Sequence, residues 1–167
     1  MRIYLVRHAE SVDRIPGMPD SARHLSAPGR VSFREMARRF REAGALPTRI
    51  FTSPLLRAVQ TAEILAETLQ YDGEVAVAPQ LSPGFDMEGM NVVLDGFPGE
   101  PEIVFVGHEP DMGGVLTRLL SLPKGYAMRK GSIAALDLPD AGGRLRAAFA
   151  WLLAGDRRIE DPAMLAP

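Results

Sequence analysis

Four residues of this sequence carry side chains that can hold and attack a phosphoryl group: Arg7, His8, Arg57 and His108. Arg7 and His8 are adjacent and directly follow an apolar run, where an ordinary turn would use Gly, Asn, Asp or Pro. A guanidinium forms paired hydrogen bonds with phosphate oxygens, and a neutral imidazole can serve as a covalent nucleophile. The four residue types therefore predict a phosphate pocket that contains two imidazoles.

The predicted secondary structure brings these residues to one place. Apolar runs with β-branched residues predict three strands, and Arg7, Ser53 and Gly107 each follow the end of one of them. Ligands of open parallel sheets bind beyond the carboxyl ends of the strands, so these chain positions should share one edge. The predicted strands are Ile3–Val6, Arg49–Thr52 and Glu102–Val106.

Arg57 gives a second indication of an anion. The pattern predicts a helix from Ser53 to Leu69, with Ser53 as its N-cap and Pro54 in its first position. A cation in the first helical turn faces the positive end of the helix dipole, which is unfavourable unless an anion binds there. Ser53 is therefore a helix cap with a possible second role as a phosphate contact.

Further elements alternate between strand and helix, which indicates an α/β fold with a largely parallel sheet. We expect a three-layer α/β/α sandwich, ending in an antiparallel hairpin of Ser132–Leu138 and Leu145–Leu153 with its turn at residues 139–143. We expect one domain over residues 1–167, with a frayed tail from about residue 157. The remaining predicted elements are helices at Ser26–Gly44, Asp86–Leu94 and Met112–Leu120 and a strand at Val75–Val77.

Composition narrows the function classes. Apolar residues make up 46% of the 167 residues and charged residues 24%, as in ordinary globular proteins. The net charge of −2 argues against a nucleic-acid partner held through phosphates. The absence of cysteine excludes thiolate metal sites and cysteine-based phosphatase chemistry. No leader or membrane-spanning run is visible in the sequence, so we expect a cytoplasmic protein without a membrane partner.

Three motifs together resemble those of the histidine phosphatase superfamily, which has the phosphoglycerate mutase-like fold. They are LVRHAE at the start, SPLLRAVQTAE after the second strand and VGHEPDMGGVL after the third. The short chain and the segment RHLSAPGR are most similar to the bacterial SixA-type phosphohistidine phosphatases. The likeness extends from Met1 to about Trp151.

The resemblance implies a role for each matching residue. His8 corresponds to the residue that becomes phosphorylated, and Arg7, Arg57 and His108 correspond to the phosphate pocket. It implies no metal and no organic cofactor. The stretch between Leu69 and Glu102 is too short for the large lid of many relatives. Within it Asp86 and Glu88 are the candidate general acids, although both also suit the N-terminus of a helix.

Three hypotheses of function follow. The first is a phosphatase that acts through a phosphohistidine on His8, with phosphohistidine proteins as its substrates. The second keeps this chemistry but takes a small sugar or nucleotide phosphate. The third is a module that binds phosphate without turnover. The sequence does not determine the physiological substrate, the partner protein or the oligomeric state.

Overall fold

A computed structural model of the chain describes residues 1–139 and 146–165. Within these residues, seven strands form one sheet and four α-helices cover it. The strands are β1 (Arg2–Arg7), β2 (Arg49–Thr52), β3 (Val75–Val77), β4 (Glu102–Gly107), β5 (Ile133–Asp137), β6 (Ala148–Ala154) and β7 (Arg157–Ile159). The helices are α1 (Ala27–Glu42), α2 (Leu56–Leu69), α3 (Met87–Asp95) and α4 (Asp111–Leu119).

The sheet is mixed, with a parallel half and an antiparallel half. Its strand order is β3-β2-β4-β1-β5-β6-β7. Strands β3, β2, β4 and β1 pair in parallel, whereas β5, β6 and β7 pair antiparallel to their neighbours. The expected α/β class and the antiparallel end of the sheet are confirmed, and β7 adds a third antiparallel strand to the expected hairpin.

Two apolar layers, one on each face of the sheet, complete the three-layer sandwich. Alternate residues of β1 divide between them: Tyr4 and Val6 belong to the layer beneath α1 and α2, and Ile3 and Leu5 to the layer beneath α3 and α4. All four side chains are fully buried. This two-sided burial explains why β1 and β4 read as continuous apolar runs rather than as alternating patterns.

Helix α1 illustrates how local sequence sets an element next to the site. The Ser26 hydroxyl accepts a hydrogen bond from the backbone N–H of Gly29, which caps the helix. Phe33 and Phe40 are buried in the core on one side of the helix. The backbone N–H of Ser26 donates to the carbonyl oxygen of Glu10 at 3.0 Å, so the start of α1 is tied to the chain just after His8.

The chain end differs from the expectation. The predicted fraying from residue 157 is wrong, because residues Arg157–Ile159 form β7 against β6 and Pro162–Leu165 form a 3₁₀ helix. Ile159 and Leu165 are buried in the layer beneath α3 and α4, and this burial holds the segment in place. The predicted turn at residues 139–143 lies, apart from Pro139, outside the described residues.

None of the helices within residues 1–139 and 146–165 has the length and apolar character that crossing a bilayer requires.

Gly29 allows the first turn of α1 to approach the backbone that follows His8. A Cβ at this position would lie 2.2 Å from the carbonyl oxygen of Glu10, whereas a Cβ at Gly114 in α4 would meet nothing within 4 Å. A buried overlap with backbone typically costs roughly 1–3 kcal/mol. In open space, alanine in a helix is favoured over glycine by about 0.5–1 kcal/mol.

We therefore expect Gly29→Ala to lower the free energy of unfolding by roughly 1–3 kcal/mol. The matched control, Gly114→Ala, should raise it slightly. Urea unfolding of both variants measures the difference. Equal effects of the two substitutions would show that α1 does not depend on its close approach to Glu10.

Candidate active site

Three neighbouring strands deliver the candidate site to one edge of the sheet. In the order β2-β4-β1, Ser53 follows β2, His108 follows β4 and His8 follows β1. The backbone N–H of His8 donates to Gly107 at 2.9 Å, and that of Ser53 donates to Val106 at 2.9 Å. These bonds continue the sheet pairing by one residue, so the site residues are held by rigid strands.

The ring of His8 is buried and has one defined orientation. Its Nδ1 lies 2.7 Å from the carbonyl oxygen of Ala9, so Nδ1 carries the proton and donates it. Its Nε2 accepts a hydrogen bond from Nε of Arg57 at 3.2 Å. Burial, together with the nearby charges of His108, Arg57 and Arg7, lowers the pKa of His8 to about 3. At neutral pH the ring is therefore uncharged, with its lone pair on Nε2.

His108 faces His8 across the site. The two ring centroids are 5.2 Å apart, and Nε2 of His108 lies 2.7 Å from the hydroxyl oxygen of Ser53. Burial, followed by the charge of Arg57, lowers the pKa of His108 to about 4. Within the described part of the chain, Nδ1 of His108 is buried and has no hydrogen-bond partner.

Arg7 approaches the same place from the end of β1. Its Nη1 donates to the carbonyl oxygen of Met128 at 2.5 Å, which anchors the guanidinium in the segment before β5. Among the described residues, its Nε is buried without a partner. Buried polar atoms are rarely left unpaired. Arg7 Nε and His108 Nδ1 are therefore two polar atoms that a bound anion could satisfy.

Arg57 is held from both ends. Its Nε side faces His8, while Nη1 donates to the carbonyl oxygen of Asp20 at 2.9 Å and Nη2 to the carboxylate of Asp20 at 3.0 Å. Only 6% of Arg57 is exposed. The guanidinium is thus fixed with one edge toward His8 and its outer edge on Asp20.

Ser53 does not cap helix α2 as the sequence suggested. The helix begins at Leu56 with Leu55 as its N-cap, and Leu55 makes no side-chain cap bond. Ser53 instead extends β2 through its backbone N–H, and its hydroxyl contacts His108 and accepts the backbone N–H of Leu55 at 3.3 Å. Arg57 still lies in the first turn of α2, as expected.

The candidate acids lie in the first part of α3. Asp86 is exposed and is the N-cap of α3, and its carboxylate accepts the backbone N–H groups of Glu88 and Gly89. Glu88 is exposed in the first turn. Within the described residues, neither side chain forms a hydrogen bond or ion pair with His8, Arg7, Arg57 or His108. A catalytic role for either acid stays a prediction.

The comparison with protein families agrees with this geometry. The model of the histidine phosphatase superfamily (branch 1) matches residues 3–92, more than half of the 167 residues. The chain belongs to this superfamily. The expected phosphatase class of enzyme is thereby confirmed.

Two relatives and one solved structure show the extent of the likeness. An uncharacterised protein from Picosynechococcus sp. is 35% identical over 119 residues, covering 68% of this chain and 69% of that protein. Phosphohistidine phosphatase SixA from Escherichia coli K12 is 25% identical over 144 residues, covering 85% of this chain and 88% of SixA. A structure of the protein histidine phosphatase SixA complexed with tungstate aligns with a TM-score of 0.82 and 24% identity, covering 93% of this chain and 97% of that one. The structural likeness confirms the phosphoglycerate mutase-like fold.

Two further groups hold the backbone near this superfamily site. The hydroxyl of Thr61 accepts the backbone N–H of Ala9 at 3.1 Å and donates to the carbonyl oxygen of Arg57 at 2.7 Å, which joins the turn after His8 to α2. The backbone N–H of Gly131 reaches the carbonyl oxygens of Arg7 and His8, both at 3.1 Å. Thr61 lies in the motif with Arg57, one turn further along the helix, and this spacing was the available signal.

Asp20 is a third group near this site, and no pattern in the sequence distinguished it. It lies in a 3₁₀ helix (Asp20–Ala22) within a loop of irregular composition. Its carboxylate contacts Arg23 at 3.1 Å, Arg57 at 3.0 Å and Arg14 at 3.3 Å. The hydrogen bond from Arg23, followed by that from Arg57, holds the pKa of Asp20 below its usual range. Asp20 is therefore ionised at neutral pH and is not a proton donor.

A metal centre is not visible in the described ranges 1–139 and 146–165, where no group of three or more His, Asp or Glu lies close enough together to hold a metal ion.

We expect Asp20→Ala to lower kcat roughly tenfold, which corresponds to about 1.4 kcal/mol, because the outer edge of Arg57 loses its carboxylate partner. Binding of inorganic phosphate as an inhibitor should not weaken, since a negative charge has been removed from beside the pocket. Steady-state kinetics with p-nitrophenyl phosphate and phosphate inhibition measure both quantities. Asp13→Asn, an exposed acid in the same loop, is the control. A parallel loss of phosphate affinity and kcat would show that Asp20 maintains the whole pocket rather than the orientation of Arg57.

The lowered pKa values of the two histidines predict a pH-dependent stability. Below pH 6.5 the unfolded chain binds protons at His8 and His108, whereas the folded chain binds them only near pH 3 and pH 4. Stability should therefore fall as the pH falls from about 6.5 toward 4, by up to about 1.4 kcal/mol per pH unit for each histidine.

Urea unfolding at pH 7 and pH 5 tests this expectation. From pH 7 to pH 5, the free energy of unfolding of the wild type should fall by roughly 2–4 kcal/mol more than that of the double variant His8→Asn/His108→Asn. His24→Asn removes an exposed histidine, and its free energy of unfolding should fall as much as that of the wild type. An equal loss in the wild type and the double variant would contradict burial of the two rings in their neutral form.

Proposed function

We propose that this protein is a phosphohistidine phosphatase that removes phosphate from histidine side chains of other proteins. The single observation that carries the proposal is the orientation of His8. Its protonated Nδ1 is held by Ala9, its Nε2 lone pair accepts a hydrogen bond from Arg57, and its ring lies 5.2 Å from the ring of His108. A nucleophile of this kind, surrounded by cationic and polar groups, suits phosphoryl transfer.

The first chemical step is the attack of His8 Nε2 on phosphorus. The Nε2–P bond forms, and the bond between phosphorus and the substrate imidazole breaks. The substrate ring carries a proton on its other nitrogen throughout and therefore leaves as a neutral histidine. His8 keeps its proton on Nδ1, where the bond to the carbonyl oxygen of Ala9 stabilises the positive charge that the ring acquires.

The second step regenerates the enzyme. A water oxygen attacks phosphorus, the P–Nε2 bond breaks, and the phosphate leaves as a monoanion that retains both water protons. His8 returns to its neutral form with Nδ1 still protonated. Arg7, Arg57 and His108 stabilise the charge on the phosphoryl oxygens in both steps, and this electrostatic contribution is the largest in phosphoryl transfer.

The proton balance supports phosphohistidine as the substrate. Neither step transfers a proton to the leaving group, whereas an alkoxide leaving group of an ester would need one. Asp20 is ionised, and the carboxylate of Asp86 accepts two backbone N–H groups as the N-cap of α3. The similarity to SixA, a protein named as a phosphohistidine phosphatase, points to the same class of substrate.

A second candidate function is hydrolysis of a small phosphate ester such as a sugar or nucleotide phosphate. One observation favours it: Glu109, adjacent to His108, is half-buried, and burial raises its pKa. A protonated carboxyl can supply the proton that an alkoxide requires. Its carboxylate, however, accepts the backbone N–H of Gly113 at 3.3 Å, which places it at the start of α4.

Trapping of a phosphoenzyme tests the proposal. Wild-type protein mixed with a ³²P-labelled phosphohistidine peptide and quenched rapidly should carry label that survives base and is lost in acid. His8→Ala should carry none, because the accepting Nε2 is absent, and His24→Ala should be labelled like the wild type. The value of kcat/KM should be at least tenfold higher for the peptide than for p-nitrophenyl phosphate or glucose 6-phosphate.

Three other outcomes would contradict the proposal or support an alternative function. Label that persists in His8→Ala would contradict the covalent mechanism. A clear preference for the esters would support the second candidate. Tight binding of vanadate without hydrolysis of any substrate would support a module that only binds phosphate.

A further inference from the structure

A groove of about 600 Å³ begins beside His8 and is not used by the proposed chemistry. Its near end is formed by Ala9 and Glu10, the two residues that directly follow His8, and by Gly131. The backbone N–H of Gly131 is bonded to the carbonyl oxygens of Arg7 and His8, so this end is continuous with the catalytic backbone. A chain that enters the groove therefore lies beside the backbone that carries His8.

At the other end of the groove, α1 is bonded to the turn between β6 and β7. Arg39 of α1 donates through Nη1 to the carbonyl oxygen of Gly155 and through Nη2 to that of Asp156 at 3.2 Å. Between the two ends, α1 lines the groove from Ser32 to Arg39. The seven helical rises from Ser32 to Arg39, at about 1.5 Å each, span about 10 Å, which accommodates roughly three residues of extended chain.

The walls combine an apolar floor with a charged rim. Phe33 and Met36 form the floor. On the rim, the guanidinium of Arg39 is hydrogen-bonded to the turn between β6 and β7, and the carboxylate of Glu35 forms an ion pair with Arg38 at 2.6 Å. Among the described residues of the rim, the charged side chains that form no hydrogen bond or ion pair are those of Glu10, Asp156 and Lys130. The groups left available to a ligand are therefore two carboxylates and one ammonium.

We propose that this groove binds the extended segment that flanks the phosphohistidine of a protein substrate. The inference rests on the proposed function and specifies its partner. The segment carries an apolar side chain that packs against Phe33 and Met36, and a basic side chain that faces Glu10 and Asp156. A small phosphate ester reaches His8 without contacting the groove. The groove therefore raises the specificity for protein substrates over small ones.

Two synthetic phosphohistidine peptides test the inference. In one, Leu and Lys occupy the three positions on each side of the phosphohistidine, and in the other all six positions are Gly. Wild-type kcat/KM should be at least tenfold higher for the first peptide. Ser32→Trp fills the groove from an exposed position of α1 and should remove this preference, while hydrolysis of free phosphoramidate stays within twofold of the wild type.

The matched control is Val31→Trp, which adds the same side chain at the adjacent residue of α1, a 69% exposed position outside the groove. It should keep the wild-type preference. Asp156→Lys is a second groove variant, which reverses a rim charge in the turn between β6 and β7. It should lower kcat/KM for the Leu/Lys peptide and leave the Gly peptide unchanged.

The failures are distinguishable. Two outcomes would contradict substrate binding in the groove and leave the proposed function intact. One is turnover of both peptides without a preference, and the other is a preference that survives Ser32→Trp and Asp156→Lys. Loss of phosphoramidate hydrolysis in a folded Ser32→Trp protein would mean that the groove acts through the catalytic residues, and would also overturn the inference. Hydrolysis of p-nitrophenyl phosphate without turnover of either peptide would refute both the function and the groove.

Discussion

The hydrogen bond from Nδ1 of His8 to the carbonyl oxygen of Ala9 is the interaction on which the site depends. It assigns the proton of a buried neutral ring to one nitrogen and leaves the lone pair on the other. Burial supplies the second half of this arrangement, because it lowers the pKa of the ring to about 3 and so keeps it unprotonated at neutral pH. His8, the proposed nucleophile, is thus neutral, oriented and desolvated, and the proposed attack needs no separate base.

The backbone around His8 is held from three sides to maintain that bond. Strand β4 accepts the N–H of His8, Thr61 of α2 accepts the N–H of Ala9, and Gly131 donates to the carbonyl oxygen of His8. Each partner comes from a different element. The position of the ring is therefore a consequence of how the sheet, helix α2 and the segment before β5 pack together.

Charge balance is the second constraint. Arg7 and Arg57 both lower the pKa of the neighbouring histidines, because positive charges beside a ring disfavour its protonation. Asp20 offsets part of this charge while it holds the outer edge of Arg57 and leaves the inner edge to His8. The same loop thus keeps the arginine oriented before an anion arrives, which reduces the reorganisation that binding would otherwise require.

Local patterns predict several elements, because apolar periodicity and capping residues act over a few positions. These elements are the strands at 49–52 and 75–77 and the helix that carries Arg57. The convergence of Arg7, Arg57 and His108 on His8 also follows, since parallel strands end at one edge. Other features depend on residues far apart in sequence. The contact of Asp20 with Arg57 joins a loop to a helix 37 residues away, and it has no local signature.

The sequence by itself determined the candidate site residues and the edge of the sheet at which they meet, because residue type and strand ends are local properties. Only the tertiary structure decided that Ser53 bonds His108 instead of capping α2, that residues 157–165 pack against the sheet, and that α1 and the β6–β7 turn enclose a groove beside His8. Each of these depends on side chains that reach across elements, and their partners are fixed by packing rather than by spacing along the chain.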